Sequence, residues 1–345
     1  MRRFTAFLIA LWPALALAQA PAARPKVPGA TDISVSAKAV PLNSDAPGEA
    51  QLGALTYQGG LALASSYEDF GGFSGLLAAR DESHLIAVSD RGHWLCFTPQ
   101  TTRDGRLIGI ANAWMAPVKG LKGAPLTGRK KGDAEGLTLS SNGRSILVSF
   151  EANHRIWRYP LDDPSDLCSV ASSRPEPITV PSGVQMLPAN GGIEALTVLP
   201  EGTLVFFSEQ GRAGGGRLGW RMPEAGLADS AAVRLGYQSP RPFAPTDMAR
   251  LGDTVFILHR HFSILSGVSG LISSVPVNTL GASTSAIKGE ELARFSPPTT
   301  VDNLEGITAL PGALGGTTLY LISDDNFNAL QRTLLLKFSL PKSET

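Results

Sequence analysis

A short phrase that recurs five times constrains the fold of this chain more than any other feature of the sequence. Each copy leads into a strand, a turn and a second strand that ends in polar residues. The second residues of the phrases are separated by 61, 59, 53 and 58 residues, a spacing that suits one four-stranded unit and its loops. The chain is therefore a repeat protein. The copies are Phe73-Ser74-Gly75-Leu76, Ala134-Glu135-Gly136-Leu137, Ile193-Glu194-Ala195-Leu196, Thr246-Asp247-Met248-Ala249 and Leu304-Glu305-Gly306-Ile307.

Each unit holds enough residues for four antiparallel strands. In the second unit we predict strands at 136–140, 145–150, 155–159 and 176–180, with Ser141-Asn142-Gly143 as a hairpin turn. The fifth unit supplies only three strands, and residues 52–57 near the N-terminus can provide the fourth. A closed ring of such sheets is a β-propeller. The predicted fold class is all-β, with five blades, or six if one blade lacks the phrase.

The N-terminal residues predict export. Met1-Arg2-Arg3 precedes an apolar run that ends near a small-x-small site at Ala16-Leu17-Ala18, as in a signal peptide. We therefore expect residues 1–18 to be a signal peptide, 19–48 a flexible Ala/Pro-rich leader with one strand at 33–40, and 49–342 the propeller. No later stretch resembles a membrane span, so the mature protein is expected in the periplasm or secreted.

Charge and cysteine content limit the partners. The sequence has 30 Lys plus Arg and 30 Asp plus Glu, and cleavage of residues 1–18 removes two arginines, so we expect no nucleic-acid partner. We expect a monomer. Cys96 and Cys168 permit one disulfide in an oxidising compartment, but their spacing in sequence leaves the pairing open.

Acidic residues at the start of the inner strands are the first candidates for a functional site. In a propeller these strands line a central channel, so Ser74, Glu135, Glu194, Asp247 and Glu305 are predicted to form a ring. Four carboxylates at close range need shared protons or a cation, and calcium is a suitable partner. Alternatively, each carboxylate accepts hydrogen bonds from backbone amides of the adjoining blade.

Polar residues that follow the second strand of each unit are the second group of candidates. Loops at one end of a rigid scaffold commonly form sites. Arg91 and Arg260 present planar forks that suit phosphate or carboxylate oxygens, and His259 can transfer protons near neutral pH. The candidates for this end of the molecule are Asp90, Arg91, Glu151, Glu209, His259, Arg260, Asp324 and Asn326.

Motifs of several enzyme classes are missing from the sequence. Gly72-Phe73-Ser74-Gly75 is one residue short of a nucleophile elbow and is explained by the repeat. The sequence also has no paired-histidine zinc motif, P-loop or dinucleotide fingerprint. We therefore expect no organic cofactor.

Several motifs in this order resemble the phytase-like family of exported bacterial proteins, which is described as having esterase-like activity of phytase. The resemblance covers roughly residues 50 to 340. It rests on Phe73-Ser74-Gly75-Leu76, Ser89-Asp90-Arg91-Gly92, Glu135-Gly136-Leu137, Glu194-Ala195-Leu196, Asn303-Leu304-Glu305-Gly306-Ile307 and Ser323-Asp324-Asp325-Asn326-Phe327.

The resemblance implies a propeller that hydrolyses a phosphate ester or related ester with a water activated by calcium. Because a dense basic set is missing, phytate itself is not the expected substrate. We expect calcium to be held by Glu135, Glu194, Glu305, Asp324, Glu151 and Glu209, with catalytic roles for Asp90, Arg91, His259 and Arg260, and substrate contacts from Arg91, Arg260 and Asn326. The alternative is a non-catalytic propeller that binds a small ligand or a protein in the periplasm.

Overall fold

The N-terminal part of the described chain packs along the outer edges of two sheets. A computed structural model describes residues 27–126, 128–213, 215–226, 232–282 and 286–342, so the predicted signal peptide lies outside the described residues. Residues 27–48 of the predicted flexible leader form two short strands, and Val27 and Leu42 are buried. The first strands are β1 (Thr31–Asp32), β2 (Ser36–Ala39), β3 (Gln51–Leu52) and β4 (Leu55–Ala64).

Five antiparallel sheets in a ring follow, and each is a blade of a five-bladed β-propeller. The first blade is β5 (Phe73–Ala78), β6 (Leu85–Ser89), β7 (His93–Thr101) and β8 (Leu107–Pro117); the second is β9 (Ala134–Leu139), β10 (Ser145–Phe150), β11 (Arg155–Pro160) and β12 (Glu176–Ile178); the third is β13 (Ile193–Leu199), β14 (Thr203–Ala213), β15 (Gly216–Pro223) and β16 (Val233–Tyr237). The fourth is β17 (Ala244–Leu251), β18 (Thr254–Ser263), β19 (Gly267–Pro276) and β20 (Glu290–Phe295); the fifth is β21 (Asn303–Pro311), β22 (Thr317–Asp324), β23 (Thr333–Leu340) and β4.

Helices in the described chain are short and lie in the connections. The α-helices are α1 (Arg129–Gly132) and α2 (Val277–Ala282), and the 3-10 helices are Leu167–Ser172, Ser182–Met186, Pro200–Gly202 and Ala313–Gly315. Among the described residues, no helix has the length and apolar character needed to cross a bilayer.

A strand from the start of the chain closes the ring, as the sequence predicts. β4 pairs with β23 from Leu63↔Thr333 to Thr56↔Ser339. The predicted bounds of this strand, 52–57, are wrong because Gly53 and Ala54 form a turn between β3 and β4. Gly53 has φ +57°, and a Cβ there would lie 2.2 Å from the Leu292 carbonyl oxygen, so glycine is required at this turn.

The hydrophobic core of the described residues is divided into clusters that each lie between two neighbouring blades. Between the first and second blades, Trp94 and Tyr159 meet edge to face with ring centroids 5.7 Å apart. Between the fourth and fifth, Phe295 and Phe338 meet with centroids 5.6 Å apart. Because both faces of every blade are covered, the strands carry nearly continuous apolar runs.

A disulfide joins the first two blades. Cys96 lies in β7, and Cys168 lies in the 3-10 helix between β11 and β12; their Cα atoms are 6.1 Å apart. The sequence left this pairing open, because it could not show that strand β7 and this 3-10 helix meet in space.

Candidate functional site

A β-bulge at the start of each inner strand positions the first set of polar side chains. The pairing between the first and second strands skips a residue in every blade. A bulge leaves one residue unpaired and re-aims its side chain. The residues in the five bulges are Ser74, Glu135, Glu194, Thr246 and Glu305.

The predicted ring of acids is therefore wrong at one position. In the fourth blade the bulge residue is Thr246, and Asp247 occupies the position of Gly75 and Gly306 in other blades. Asp247 Oδ2 accepts a hydrogen bond from the Ile307 backbone N–H at 2.8 Å, and Oδ1 accepts one from Met248 N–H at 2.8 Å. Asp247 therefore has the structural role that the sequence left open for all of these acids.

The second strands supply the second set of side chains, from the part of each strand that lies beside the bulge. In each blade, the residue before the bulge pairs with a residue of the second strand, and the side chain in question belongs to the next residue along that second strand. All five side chains therefore share one end of the channel. They are Asp90, Glu151, Glu209, Arg260 and Asp324. Four carboxylates and one guanidinium thus accompany the bulge acids.

Arg260 joins three blades at this end. Its Nε lies 2.8 Å from Glu305 Oε1 in the fifth blade, and its Nη2 lies 3.1 Å from Glu209 Oε1 in the third. Glu305 raises the pKa of Arg260, so the guanidinium stays charged. The Arg260 side chain is 30 % exposed, and a ligand can therefore reach this group.

The acids at this end are too close together to be ionised without compensation. Burial raises the pKa of Glu135 and of Glu194, and neighbouring carboxylates raise both further. Burial also raises the pKa of Glu305 to about 8, although Arg260 opposes the shift. Asp324 has its pKa raised to about 7 by burial, with a contribution from Asp90. These raised pKa values favour the protonated form of the carboxyl groups unless a cation takes the place of the protons.

One group of carboxylates has the spacing of a metal site. Carboxylate oxygens of Asp133, Glu135 and Glu151 all lie within 4.8 Å of one another. An all-oxygen donor set suits a hard cation such as calcium and lacks the nitrogen and sulfur donors typical of zinc. Sequence reasoning missed Asp133. Asp133 lies two residues before Glu135, and this spacing places two side chains on the same side of an extended chain. That spacing was the signal that could have identified Asp133.

Some of these acids also hold the structure together. Glu151 Oε1 accepts hydrogen bonds from the backbone N–H groups of Gly191 and Gly192, the latter at 2.7 Å. Asp324 Oδ1 accepts one from Asn326 N–H at 2.6 Å. Glu151 therefore has one oxygen committed to backbone amides.

Three predicted site residues lie apart from the acidic cluster. His259 is fully buried between the third and fourth blades, where its Nδ1 donates to the Leu271 carbonyl oxygen at 3.2 Å and its Nε2 accepts from the Tyr237 hydroxyl at 2.8 Å. Burial lowers its pKa to about 3. The predicted catalytic role of His259 does not fit this position, because the ring is neutral and both nitrogens are engaged.

Arg91 and Asn326 lie at the rim of the same end. The Arg91 Cζ lies 3.2 Å from the centroid of the Phe327 ring, so blade five supplies a platform for an arginine of blade one. A stacked guanidinium still directs its N–H groups outward in its own plane. Asn326 is exposed in a turn with φ +48°, and no hydrogen bond of its side chain is found within the described residues.

Comparisons with known proteins agree with these features. The family model described as "Phytase-like: Esterase-like activity of phytase" matches residues 68–327. None of the curated proteins compared with the chain matches it.

Solved structures of low similarity also match. The WD40 domain of Neurospora crassa Pan2 is 10% identical with a TM-score of 0.40, over 84% of this chain and 97% of that one. Myxococcus xanthus glutaminyl cyclase is 14% identical with a TM-score of 0.39, over 79% of this chain and 92% of that one.

Proposed function

The chain belongs to the phytase-like family, and from this premise we propose that it hydrolyses a phosphate ester or a related ester at the acidic end of the propeller channel. The observation that carries the proposal is the meeting of Glu135, Glu194 and Glu305 from three blades around a charged arginine. Buried acids with strongly raised pKa values are common at functional sites. An unfavourable cluster of this kind is a cost that a bound ligand can offset.

Calcium is the proposed cation. Asp133, Glu135 and Glu151 provide the closest oxygen donors, and Glu194, Glu209, Glu305, Asp324 and Asp90 surround them. When bound, calcium supplies an electrophile that polarises the ester oxygen and lowers the pKa of a water molecule. The carboxylates of this chain then exchange protons for the cation.

Arg260 is proposed to stabilise the charge that develops on the ester. Its guanidinium is fixed by Glu209 and Glu305 yet remains partly exposed. Arg91, held flat on Phe327, is proposed to contact the same anionic group from the rim, with Asn326 beside it. Fixed donors of this kind lower the cost of reorganisation in the transition state.

The disulfide and the N-terminal residues support a location outside the cytoplasm. A Cys96–Cys168 bond between blades is typical of oxidising compartments. We propose that the mature protein lies in the periplasm or outside the cell.

The test measures calcium binding and turnover separately. Purified protein is stripped with EDTA, titrated with calcium by calorimetry, and assayed with p-nitrophenyl phosphate and p-nitrophenyl acetate. Glu135→Gln is expected to weaken calcium binding at least about tenfold and to abolish turnover. Asp247→Asn is the matched control, because it changes a buried acid that serves the adjoining blade.

Two outcomes would contradict parts of the proposal. If calcium changes neither the melting temperature nor activity, the metal role is wrong. If calcium binds but neither ester is hydrolysed, the non-catalytic ligand-binding propeller is the better description. The backbone hydrogen bonds of Glu151 already favour a partly structural role for this cluster.

A further inference from the structure

A cavity separate from the acidic end of the channel lies at the outer edge of the molecule, between the third and fourth blades. Its volume is about 1140 Å³, enough for a small organic ligand. Its walls are the β14–β15 hairpin, the connection at 238–243 and the segment 288–291 that leads into β20. None of the acids of the channel lines it.

The cavity is lined by cations. Arg212, Arg217, Arg241 and Lys288 contribute four positive charges, while the acids on its walls are Glu290 and Glu291. Glu291 is engaged by Arg294, whose Nη2 lies 2.6 Å from its Oε2. Within the described chain, no carboxylate lies within ion-pair distance of the exposed Arg212, Arg241 or Lys288. The cavity therefore has the opposite charge to the channel site.

Two of the arginines face each other across the hairpin. Arg212 in β14 is the direct register partner of Arg217 in β15. Like charges at directly opposed positions destabilise a pair of strands, so this arrangement is unfavourable without an anion. Guanidinium groups on two directly paired residues can share the oxygens of one phosphate.

Arg217 forms a fixed floor for the cavity. It is 9 % exposed, and it donates hydrogen bonds to the backbone carbonyl oxygens of Glu209 and Phe243, the latter at 3.2 Å. Its buried Nε has no hydrogen-bond partner among the described residues. The carboxylate of Glu209 is engaged by Arg260 and leaves the charge of Arg217 available to a ligand.

We propose that this cavity binds a small soluble molecule that carries one or more phosphate groups, at a site separate from the acidic channel. Arg217 contributes a buried donor that is already oriented, and the exposed Arg212, Arg241 and Lys288 close around the anion. Guanidinium forks match the geometry of phosphate oxygens. The site does not depend on the proposed hydrolytic activity, because it uses different side chains and a charge of the opposite sign.

Calorimetry with inorganic phosphate and with pyrophosphate, in EDTA, tests the proposal. The double variant Arg212→Gln/Arg241→Gln is expected to weaken binding at least about tenfold, while Arg217 stays in place so that the fold is kept. The matched control is Arg103→Gln/Arg144→Gln, which removes the same charge from two exposed loops elsewhere. This control is expected to bind like the unmodified protein.

Three results would overturn the proposal. The first is the absence of binding at millimolar pyrophosphate. The second is an equal loss in both double variants, which would assign the effect to net charge. The third is a loss of binding in Arg260→Met, which would place the anion in the channel. Since the readout is binding and not turnover, an inactive enzyme would not affect the result.

Discussion

The two ends of the central channel are built by the same five inner strands and yet differ completely in chemistry. At one end the strands begin with Glu135, Glu194 and Glu305, and an arginine joins them. At the other end they finish around a cavity of about 790 Å³ whose lining is mainly aliphatic side chains and threonines. Arg80, Asp81 and Arg250 are the charged residues of that lining, and Arg250 donates to the backbone carbonyl oxygens of Val198 and Gly252 at 2.9 and 3.1 Å.

The two ends therefore differ in energetic role: residues at one end stabilise the fold, and buried acids at the other end destabilise it. At the aliphatic end Arg250 is paired with backbone carbonyl oxygens, and Asp81 Oδ1 accepts a hydrogen bond from the Ser83 backbone N–H at 3.0 Å. At the acidic end several carboxylates are buried with raised pKa values. Buried groups that destabilise the folded state are expected at functional sites. The comparison makes predictions that can be ordered by the size of the expected effect.

The largest effect is expected from pH in the absence of metal. Folding raises the pKa of Glu305 to about 8 and of Asp324 to about 7. Such acids bind protons more tightly in the folded state, so their stabilisation is complete below the unfolded pKa and is lost as the pH rises through the folded value. In EDTA, the free energy of unfolding should fall from about pH 5 to about pH 8, by on the order of 4 kcal/mol for Glu305.

Urea unfolding at several pH values measures this dependence. Glu305→Gln should flatten the curve, since the amide does not ionise, and calcium at about pH 8 should restore stability. Thr308→Val at the opposite end of the same strand should leave the slope unchanged. A stability that rises over this range would show that the acids are not buried as a group.

The second effect concerns the two arginines. Arg260→Met removes the cation between Glu209 and Glu305 and leaves buried charge without a partner, at a cost of about 3 kcal/mol near pH 8. Arg250→Met removes only hydrogen bonds to backbone carbonyls and should cost about 1 kcal/mol. Denaturant unfolding in EDTA compares the pair, and equal losses would contradict the distinction between the two ends.

The third effect distinguishes Asp247 from the bulge acids. Asp247→Ala leaves the Ile307 N–H without its acceptor and should destabilise the protein by about 2 kcal/mol. Its calcium affinity should match that of the unmodified protein, because this carboxylate faces the adjoining strand. Calorimetry measures the calcium affinity of Asp247→Ala and of the bulge variant Glu135→Gln. A weaker calcium affinity in Asp247→Ala would show that Asp247 belongs to the site.

The smallest effect is expected at the aliphatic end. Thr308→Val exchanges a buried hydroxyl of the channel wall for a methyl group and should change stability by less than about 1 kcal/mol. Neither calcium affinity nor ester hydrolysis should respond. A change in either measurement would mean that the two ends are coupled through β21.

The sequence predicted most of the architecture because the repeat is visible in it. The phrase located the five inner strands, and the missing strand of the last unit pointed to the start of the chain. It also located Glu135, Glu194 and Glu305, which share one position in their blades. Counting therefore predicted ring closure, and it favoured five blades while leaving six open.

The remaining errors have local physical causes. Asp247 was assigned to the ring because a bulge shifts the register by one residue, and a run of letters does not show which residue is unpaired. His259 was assigned to the site because it adjoins Arg260 at the polar end of an apolar run, but neighbouring residues of a strand point to opposite faces. The strand in fact continues to Ser263, and Tyr237 from the neighbouring blade engages the imidazole.

The pairing of β4 with β23 has a consequence for how the ring can open. Leu55–Ala64 and Thr333–Leu340 are far apart in the chain, so hydrogen bonds between two distant segments hold the circle shut. If these strands separated, each would expose an unpaired edge to which other chains can add. Substitutions that weaken this pairing are therefore expected to promote aggregation.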